Sequence, residues 1–274
     1  MLTTLGHSQR LAIFQLLMRR YPDAVSAGEV SQALGIKPST LSAYLSALTT
    51  AGLAQQNRAG TSLRYMVNIE QVREMFDFLL LDCCRGRPDI CSPFASSFTE
   101  GFQPMTDAKF NVLFICTGNS ARSIFAETIL REVAGDRFAV YSAGTRPFSE
   151  LNPMAVEVLR TKGHDITPLR AKNMKEFTQP DAPVFDFVFT VCDQAANEDC
   201  PAWSGQPVSA HWGMVDPVKA TGSEAERSLA FQKAYGALRN RILAFTALPM
   251  DTLDRLSLQK AVDDIGRMNE ETPV

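Results

Sequence analysis

Apolar side chains in the first third of the chain return at helical spacing. Leu11, Phe14, Leu17 and Met18 make one such stripe, the recurrence of an amphipathic helix. A second, shorter helix fits Ala27–Leu34 and stops at Gly35, a residue that takes a left-handed helix end without steric cost. A third opens at Lys37-Pro38-Ser39-Thr40, where the first turn tolerates proline because its missing N–H has no partner to lose. Leu41, Leu45 and Leu48 line one face of this helix, and Ala51-Gly52 end it. Two short strands follow near Leu53–Asn57 and Leu63–Val67, joined by Arg58-Ala59-Gly60-Thr61, and a last amphipathic helix runs from about Glu70 to Cys84. Helix, short helix, glycine turn, helix and hairpin is the element order of a winged helix-turn-helix.

The pattern changes beyond Gly86–Ala108, a connector with Pro88, Pro93, Pro104 and Gly101 among Ser and Thr. A buried-strand run, Phe110–Ile115, leads into a helix from near Arg122–Ile124 to about Val133. A strand at Phe138–Ser142 ends at Gly144, a helix follows at about Pro153–Lys162, Phe185–Val191 is a near-continuous apolar strand, and a long amphipathic helix covers about Ala225–Ala247. Strands alternating with helices imply a doubly wound parallel sheet. The fold class is therefore α/β, with an N-terminal winged helix-turn-helix domain and a C-terminal doubly wound domain. The expected division is 1–92, a linker 93–108, a second domain 109–248 and a helical tail 249–274. Within the tail, Leu253–Arg267 reads as an extra amphipathic helix beyond the second domain's core.

Composition narrows the function classes. At 274 residues, 45% hydrophobic and 21% charged, the chain has the length of about two domains and ordinary globular content. No apolar run approaches the ~20 residues that span a bilayer, and Met1–Arg10 lacks a signal-peptide pattern, so a cytoplasmic protein is expected. The net charge of −3 advertises no basic field. Residues 1–105 carry nine Lys/Arg and eight Asp/Glu, the rest 18 and 22, so a slightly basic part precedes an acidic one. Six cysteines in a reducing compartment are buried, metal-binding or catalytic rather than structural disulfides.

The third helix offers Ser39, Thr40, Ser42, Ala43 and Tyr44 on its outward face. Small hydroxyl side chains approach base edges, and Lys37, Arg58 and Arg64 are placed to meet phosphates. Residues 1–92 resemble the arsenic- and metal-responsive repressors of the ArsR/SmtB family, through Ser31-Gln32-Ala33-Leu34-Gly35, Pro38-Ser39-Thr40-Leu41-Ser42 and Leu48 to Ala51-Gly52-Leu53. That resemblance implies a homodimer formed through the first and last helices, bound to operator DNA and released by a metal or metalloid. Cys83, Cys84 and Cys91 cluster where the last helix meets the connector. They are either two packing thiols and a linker thiol or a three-sulfur site suited to a thiophilic ion such as As(III). Some members of the family sense arsenite through a C-terminal Cys-Cys pair plus a later Cys, which this pattern matches.

The strongest signal is Cys116-Thr117-Gly118-Asn119-Ser120-Ala121-Arg122-Ser123. A strand, a Cys-x5-Arg loop and a helix hold a tetrahedral oxyanion: loop amides and the helix N-terminus form one nest, which Arg122 closes bidentately. The same field is expected to lower the Cys116 pKa. Asn119 and Ser123 are expected to brace the loop. The loop and fold resemble two related groups, the low-molecular-weight tyrosine phosphatases and the arsenate reductases similar to them. Both use a late Asp-Pro acid, which Asp216-Pro217 matches. Val218-Lys219-Ala220 stand where the phosphatases carry tyrosines, and Ser120-Ala121 where they carry Ile-Cys. Cys192 and Cys200 have no use in a phosphatase. The reductase resemblance, over about 109–247, implies that Cys116 attacks arsenate, Cys192 then takes a disulfide with Cys116, and Cys200 moves it to a 192–200 pair. An external thiol donor would reduce that pair. In the thioredoxin-coupled branch the last two cysteines stand one residue closer, so the donor stays open between thioredoxin and glutathione with glutaredoxin.

Asn119, Glu127 and Ser142 match positions that bind potassium in some relatives. Arg170 and Lys172 read as solvated surface charge, the alternative being a pair that attracts anions to the mouth of the site, and His7, His164 and His211 are too scattered for a zinc site. The expected protein is an arsenite-responsive repressor fused to a thiol-dependent arsenate reductase. The alternative is a protein phosphatase fused to a dimerising or DNA-binding regulatory domain.

Overall fold

In a computed structural model of the chain, which describes residues 1–83, 109–148, 150–198, 203 and 205–268, there are two units, Met1–Glu100 and Gly101–Val274. In the first, helices Leu2–Leu5, Ser8–Arg20, Ala27–Leu34 and Pro38–Thr50 precede the hairpin of β2 (Ala54–Ala59) and β3 (Ser62–Val67). Ser26 and Glu29 cap the helix Ala27–Leu34 reciprocally, and Gly35 ends it at φ 64°, the left-handed stop expected of it. Pro38 sits in the first turn of the next helix, which buries Leu41, Leu45 and Leu48 against Ile13, Leu16, Leu17 and Val30. Three buried leucines at helical spacing thus hold this helix on the core while Ser39, Ser42 and Ala43 stay exposed. A two-residue β1 (Val25–Ser26) adds to the hairpin in the order β1-β3-β2; two residues carry too little periodicity to be read from sequence.

The expected helix from Glu70 to Cys84 differs. An α-helix covers Ile69–Asp77, then Phe78–Cys83 wind as a π-helix. The wider turn shifts the angular register, so a 3.6-residue stripe does not continue across it.

The second unit is a four-stranded sheet of β4 (Phe110–Cys116), β5 (Phe138–Gly144), β6 (Phe187–Thr190) and β7 (Val208–His211). Its order is β5-β4-β6-β7 and every pairing is parallel. The chain leaves β4 to one side for β5 and then crosses to the other for β6. The reversal places a switch point between the C-terminal ends of β4 and β6, where open α/β sheets bind ligands. β4 is buried along its whole length, which explains its continuous apolar run. Helices Arg122–Ala134, Pro153–Thr161, Asp193–Asn197 and Glu224–Thr246 accompany the strands. No helix among the described residues is long and apolar enough to cross a membrane.

The helix Arg255–Gly266 is part of this core rather than an addition beyond it. Leu258 and Val262 are fully buried, and Trp212 Nε1 donates to the Val262 carbonyl at 3.0 Å. The buried Arg241 guanidinium donates to the carbonyls of Trp212, Gly213, Gly266 and Met268, tying the helix end to the segment that follows β7. Gly266 is needed there because a Cβ would meet the His211 carbonyl oxygen at 2.7 Å. Gly266→Ala is expected to destabilise the protein by about 1–3 kcal/mol through overpacking. Gly236→Ala, where a Cβ meets nothing within 4 Å in mid-helix, is expected to stabilise it by about 0.5–1 kcal/mol. Urea unfolding midpoints moving in opposite directions check both.

Candidate active site

β4 delivers Cys116 to the switch point, and the loop that follows is shaped by where its carbonyls go. Those of Cys116, Thr117, Gly118 and Ser120 accept hydrogen bonds from the backbone N–H groups of Thr145, Arg146, Phe148 and Asn152. In a trans peptide the N–H opposes the C=O. Carbonyls drawn outward therefore turn the next amides inward, and the Asn119 N–H donates to Cys116 Sγ at 3.1 Å. The segment after β5 thus sets the direction of the amides in the Thr117–Ser123 loop. Gly144 permits the close approach, since a Cβ there would meet the Thr117 carbonyl oxygen at 2.7 Å.

Asn119 adopts φ 45°, a left-handed conformation that asparagine tolerates better than most residues. Its side chain holds that turn: Nδ2 donates to Ser123 Oγ and Ser142 Oγ, both at 2.8 Å, and Oδ1 accepts the Lys172 N–H at 2.6 Å. Ser123 Oγ lies 2.9 Å from Cys116 Sγ. The bracing pair predicted from the sequence is thus found, with two more members. Arg122, at the first position of its helix, pairs with Asp216 through Nη2 and Oδ2 at 2.9 Å. Asp216 also accepts the Val218 N–H at 3.2 Å. The loop cation and the Asp-Pro carboxylate, 94 positions apart in sequence, share one side of the nest.

Cys192 is buried and reaches the same place from β6. Ile115 pairs with Thr190, and the Val191 N–H donates to the Ile115 carbonyl at 2.8 Å. Cys116, the last residue of β4, and Cys192, two residues beyond β6, are therefore brought to the same end of neighbouring strands. Thr117 Oγ1 lies 3.4 Å from Cys192 Sγ, and the sulfur caps the next helix by accepting the Ala195 N–H at 3.4 Å. Cys116 and Cys192 are both free thiols.

The charge state of Cys116 departs from expectation. Burial pushes its thiol above the ordinary value, and Cys192 adds to the rise; the hydrogen bond to Ser123 and the Arg122 charge pull the other way without cancelling it. Removing water from a would-be anion outweighs the nearby dipoles and charge here. Titrating the ligand-free protein by thiolate absorbance, with Cys116→Ser subtracted, is expected to give a Cys116 midpoint above that of an ordinary thiol. A midpoint near neutrality would contradict this.

Lys172 is also not the solvated charge expected. It is buried, with Nζ 2.8 Å from Glu127 Oε2. Arg170 instead pairs with Glu176 at the surface. Asn119, Glu127 and Ser142 do converge, Ser142 Oγ donating to Glu127 Oε2. They do not fit the potassium ion their positions imply. The Lys172 ammonium occupies the carboxylate, and the Lys172 N–H occupies the Asn119 oxygen.

In the first unit, Lys37, Ser39, Ser42, Arg58 and Arg64 are exposed and Thr40 is half-buried. Tyr44 is turned inward more than expected: it packs on the core, and its hydroxyl lies 3.4 Å from His7 Nε2. Cys83 is exposed. Cys84, Cys91 and Cys200 lie outside the described residues. The sequence reading missed Thr145, Arg146, Phe148 and Asn152 because they act through backbone amides, which every residue but proline offers. It missed the role of Lys172 because nothing local distinguishes a buried lysine from a surface one.

Comparison with known proteins agrees with this division. Residues 111–255 match the family described as low molecular weight phosphotyrosine protein phosphatase, and residues 5–56 match a helix-turn-helix domain. An arsenate reductase of Bacillus licheniformis is 37% identical over 139 residues, covering 50% of this chain and 96% of that protein. An arsenate reductase of Bacillus subtilis is 36% identical over 134 residues, covering 49% and 93%. Among solved structures, an arsenate reductase in the phosphate binding state aligns with a TM-score of 0.39 at 22% identity, over 49% of this chain and 94% of that one.

Proposed function

We propose, for a chain that belongs to the low molecular weight phosphotyrosine protein phosphatase family and carries an N-terminal helix-turn-helix domain, that it reduces arsenate to arsenite with its own thiols and represses transcription until arsenite binds. The observation that carries the first half is a second buried thiol, Cys192, beside the Cys116 loop. Phosphoryl hydrolysis needs one nucleophile, whereas a two-electron reduction needs two thiols.

Arsenate has the shape and charge of phosphate, so the inward amides and Arg122 bind it. Because burial favours the neutral Cys116 thiol, the incoming arsenate dianion takes its proton. The thiolate attacks arsenic. Asp216, released as Arg122 turns to the oxyanion, carries that proton from arsenate to the departing hydroxide, which leaves as water. Cys192 then passes its thiol proton to an arsenic-bound oxygen and attacks Cys116 Sγ. The sulfur–arsenic electron pair stays on arsenic, which departs as arsenite, and a 116–192 disulfide remains. Cys200 attacks Cys192 in turn, returning Cys116 as thiolate and leaving a 192–200 disulfide. Thioredoxin, or glutathione with glutaredoxin, supplies the two electrons that reset it.

For the second half, the support is a helix-turn-helix unit with exposed Lys37, Ser39 and Ser42 on the reading helix and Arg58 and Arg64 on the hairpin. Leu2, Leu11, Met18, Phe76 and Phe78 are exposed apolar side chains on the first two helices and on the helical segment from Ile69 to Cys83, a surface suited to a homodimer. Cys83, Cys84 and Cys91 form the arsenite site in this reading.

The deciding experiment measures arsenate-dependent NADPH oxidation with thioredoxin and glutaredoxin systems supplied separately, alongside aryl-phosphate hydrolysis. Turnover with either thiol system supports the reductase. Aryl-phosphate hydrolysis alone would make the protein a phosphatase. Gel shifts of operator DNA that arsenite releases test the repressor.

A further inference from the structure

Lys172 and Glu127 form a buried ion pair that the chemistry above does not use. Both side chains are less than one-tenth exposed, and their charged atoms are 2.8 Å apart. Two charges are removed from water here at a real desolvation cost, so their placement is informative. Glu127 receives Lys172 Nζ and Ser142 Oγ on one oxygen and Arg131 on the other. Ser142 Oγ accepts Asn119 Nδ2, the Asn119 amide holds Ser123, and Ser123 touches Cys116 Sγ. The Lys172 backbone closes the circuit, its N–H on Asn119 Oδ1 and its carbonyl on the Gly144 N–H. Two cations therefore meet the carboxylate that orients the left-handed Asn119 turn, and of these the Lys172 ammonium is the buried one, on the oxygen that also holds Ser142.

We propose that Lys172 is a built-in monovalent cation: its ammonium takes the place of a dissociable ion and positions the oxyanion loop through Glu127, Ser142 and Asn119. Lys172 is a positioning residue, since it acts on Cys116 only through others. Two consequences separate this from general packing. The native protein is indifferent to the choice of monovalent salt. Shortening the side chain opens a cation-sized gap beside a buried carboxylate, which a small ion can fill.

The test compares wild type, Lys172→Ala, Lys172→Met and the double variant Lys172→Met/Glu127→Gln in potassium, sodium and tetramethylammonium chloride at equal ionic strength. Readouts are the melting temperature, calorimetric affinity for inorganic phosphate, and kcat and KM for arsenate. Wild type is expected to be unchanged across the salts. Lys172→Ala is expected to lose about 10-fold or more in phosphate affinity and kcat/KM, the scale typical of groups acting through a ligand. Potassium should restore most of that loss and tetramethylammonium none. Lys172→Met fills the gap without charge and is expected to lose as much and stay lost. The double variant removes both charges at similar volume and is expected to fold and to bind phosphate better than Lys172→Met.

Potassium activation of wild type would overturn the proposal. So would a Lys172→Ala protein that melts lower but binds phosphate normally, or one that potassium does not restore. If Lys172→Ala does not fold, a double variant no better than Lys172→Met overturns it alone. The proposal rests on Cys116 acting in an oxyanion loop. Because phosphate binding and melting need no arsenate turnover, they report on Lys172 even if the reductase reading fails.

Discussion

Replacing Cys192 by serine is expected to stop arsenate-dependent NADPH oxidation, lowering turnover at least ~10^3-fold, as deletion of a covalent participant does. Aryl-phosphate hydrolysis, if present in wild type, should survive. The contrast follows from position. Cys192 caps its helix through the Ala195 N–H and lies beside Thr117 Oγ1, both contacts a serine oxygen can make, so the loop and the fold are retained. What serine cannot do is displace arsenic from Cys116 Sγ and leave a disulfide. Thiol counting after one equivalent of arsenate without donor gives an independent readout. Wild type should lose two titratable thiols, and Cys192→Ser should lose none to a disulfide. Reductase turnover that persists in Cys192→Ser would remove the proposed cascade.

Arg122→Lys is expected to cost about 10^2–10^3-fold in kcat/KM for arsenate, the range for losing a charge-directed donor in a preorganised anion site. The substitution keeps the charge but not the planar fork. In the ligand-free protein that fork holds Asp216 at 2.9 Å and lies 3.4 Å from the Met214 carbonyl, so its direction is set before substrate arrives. A lysine offers a point charge on a flexible stem and loses the bidentate grip on a tetrahedral oxyanion. The effect should appear in both KM and kcat, because the same guanidinium binds substrate and releases Asp216. Steady-state kinetics with calorimetric phosphate binding check it. A variant with wild-type phosphate affinity would show that the amides alone hold the anion.

The pieces legible in the sequence were those carried by local chemistry. The Cys116–Ser123 loop, the Ala27–Leu34 helix with its Gly35 stop, and the apolar run of β4 all announce themselves within a few residues. Asn119 and Ser123 were recognised as braces, and the structure joins them through one amide. Readings that depended on distant neighbours went differently. The field of loop and helix was expected to lower the Cys116 pKa, but burial decides its direction. Lys172 looked like surface charge until the chain brought it under β5 to Glu127. The segment Leu253–Arg267 looked like an appendage, yet its helix fills the core beside Trp212.

By itself, then, the sequence determined the two-part architecture, the oxyanion loop and the thiols available to it, because periodicity and residue type act over one or two turns of chain. Tertiary structure alone decided which atoms meet. The parallel register of β4 and β6 sets Cys192 beside the Cys116 loop, the amides of Thr145, Arg146, Phe148 and Asn152 turn the loop's carbonyls outward, and a buried ammonium pairs with Glu127. Register, amide direction and desolvation depend on residues dozens of positions away, and a linear pattern does not encode them.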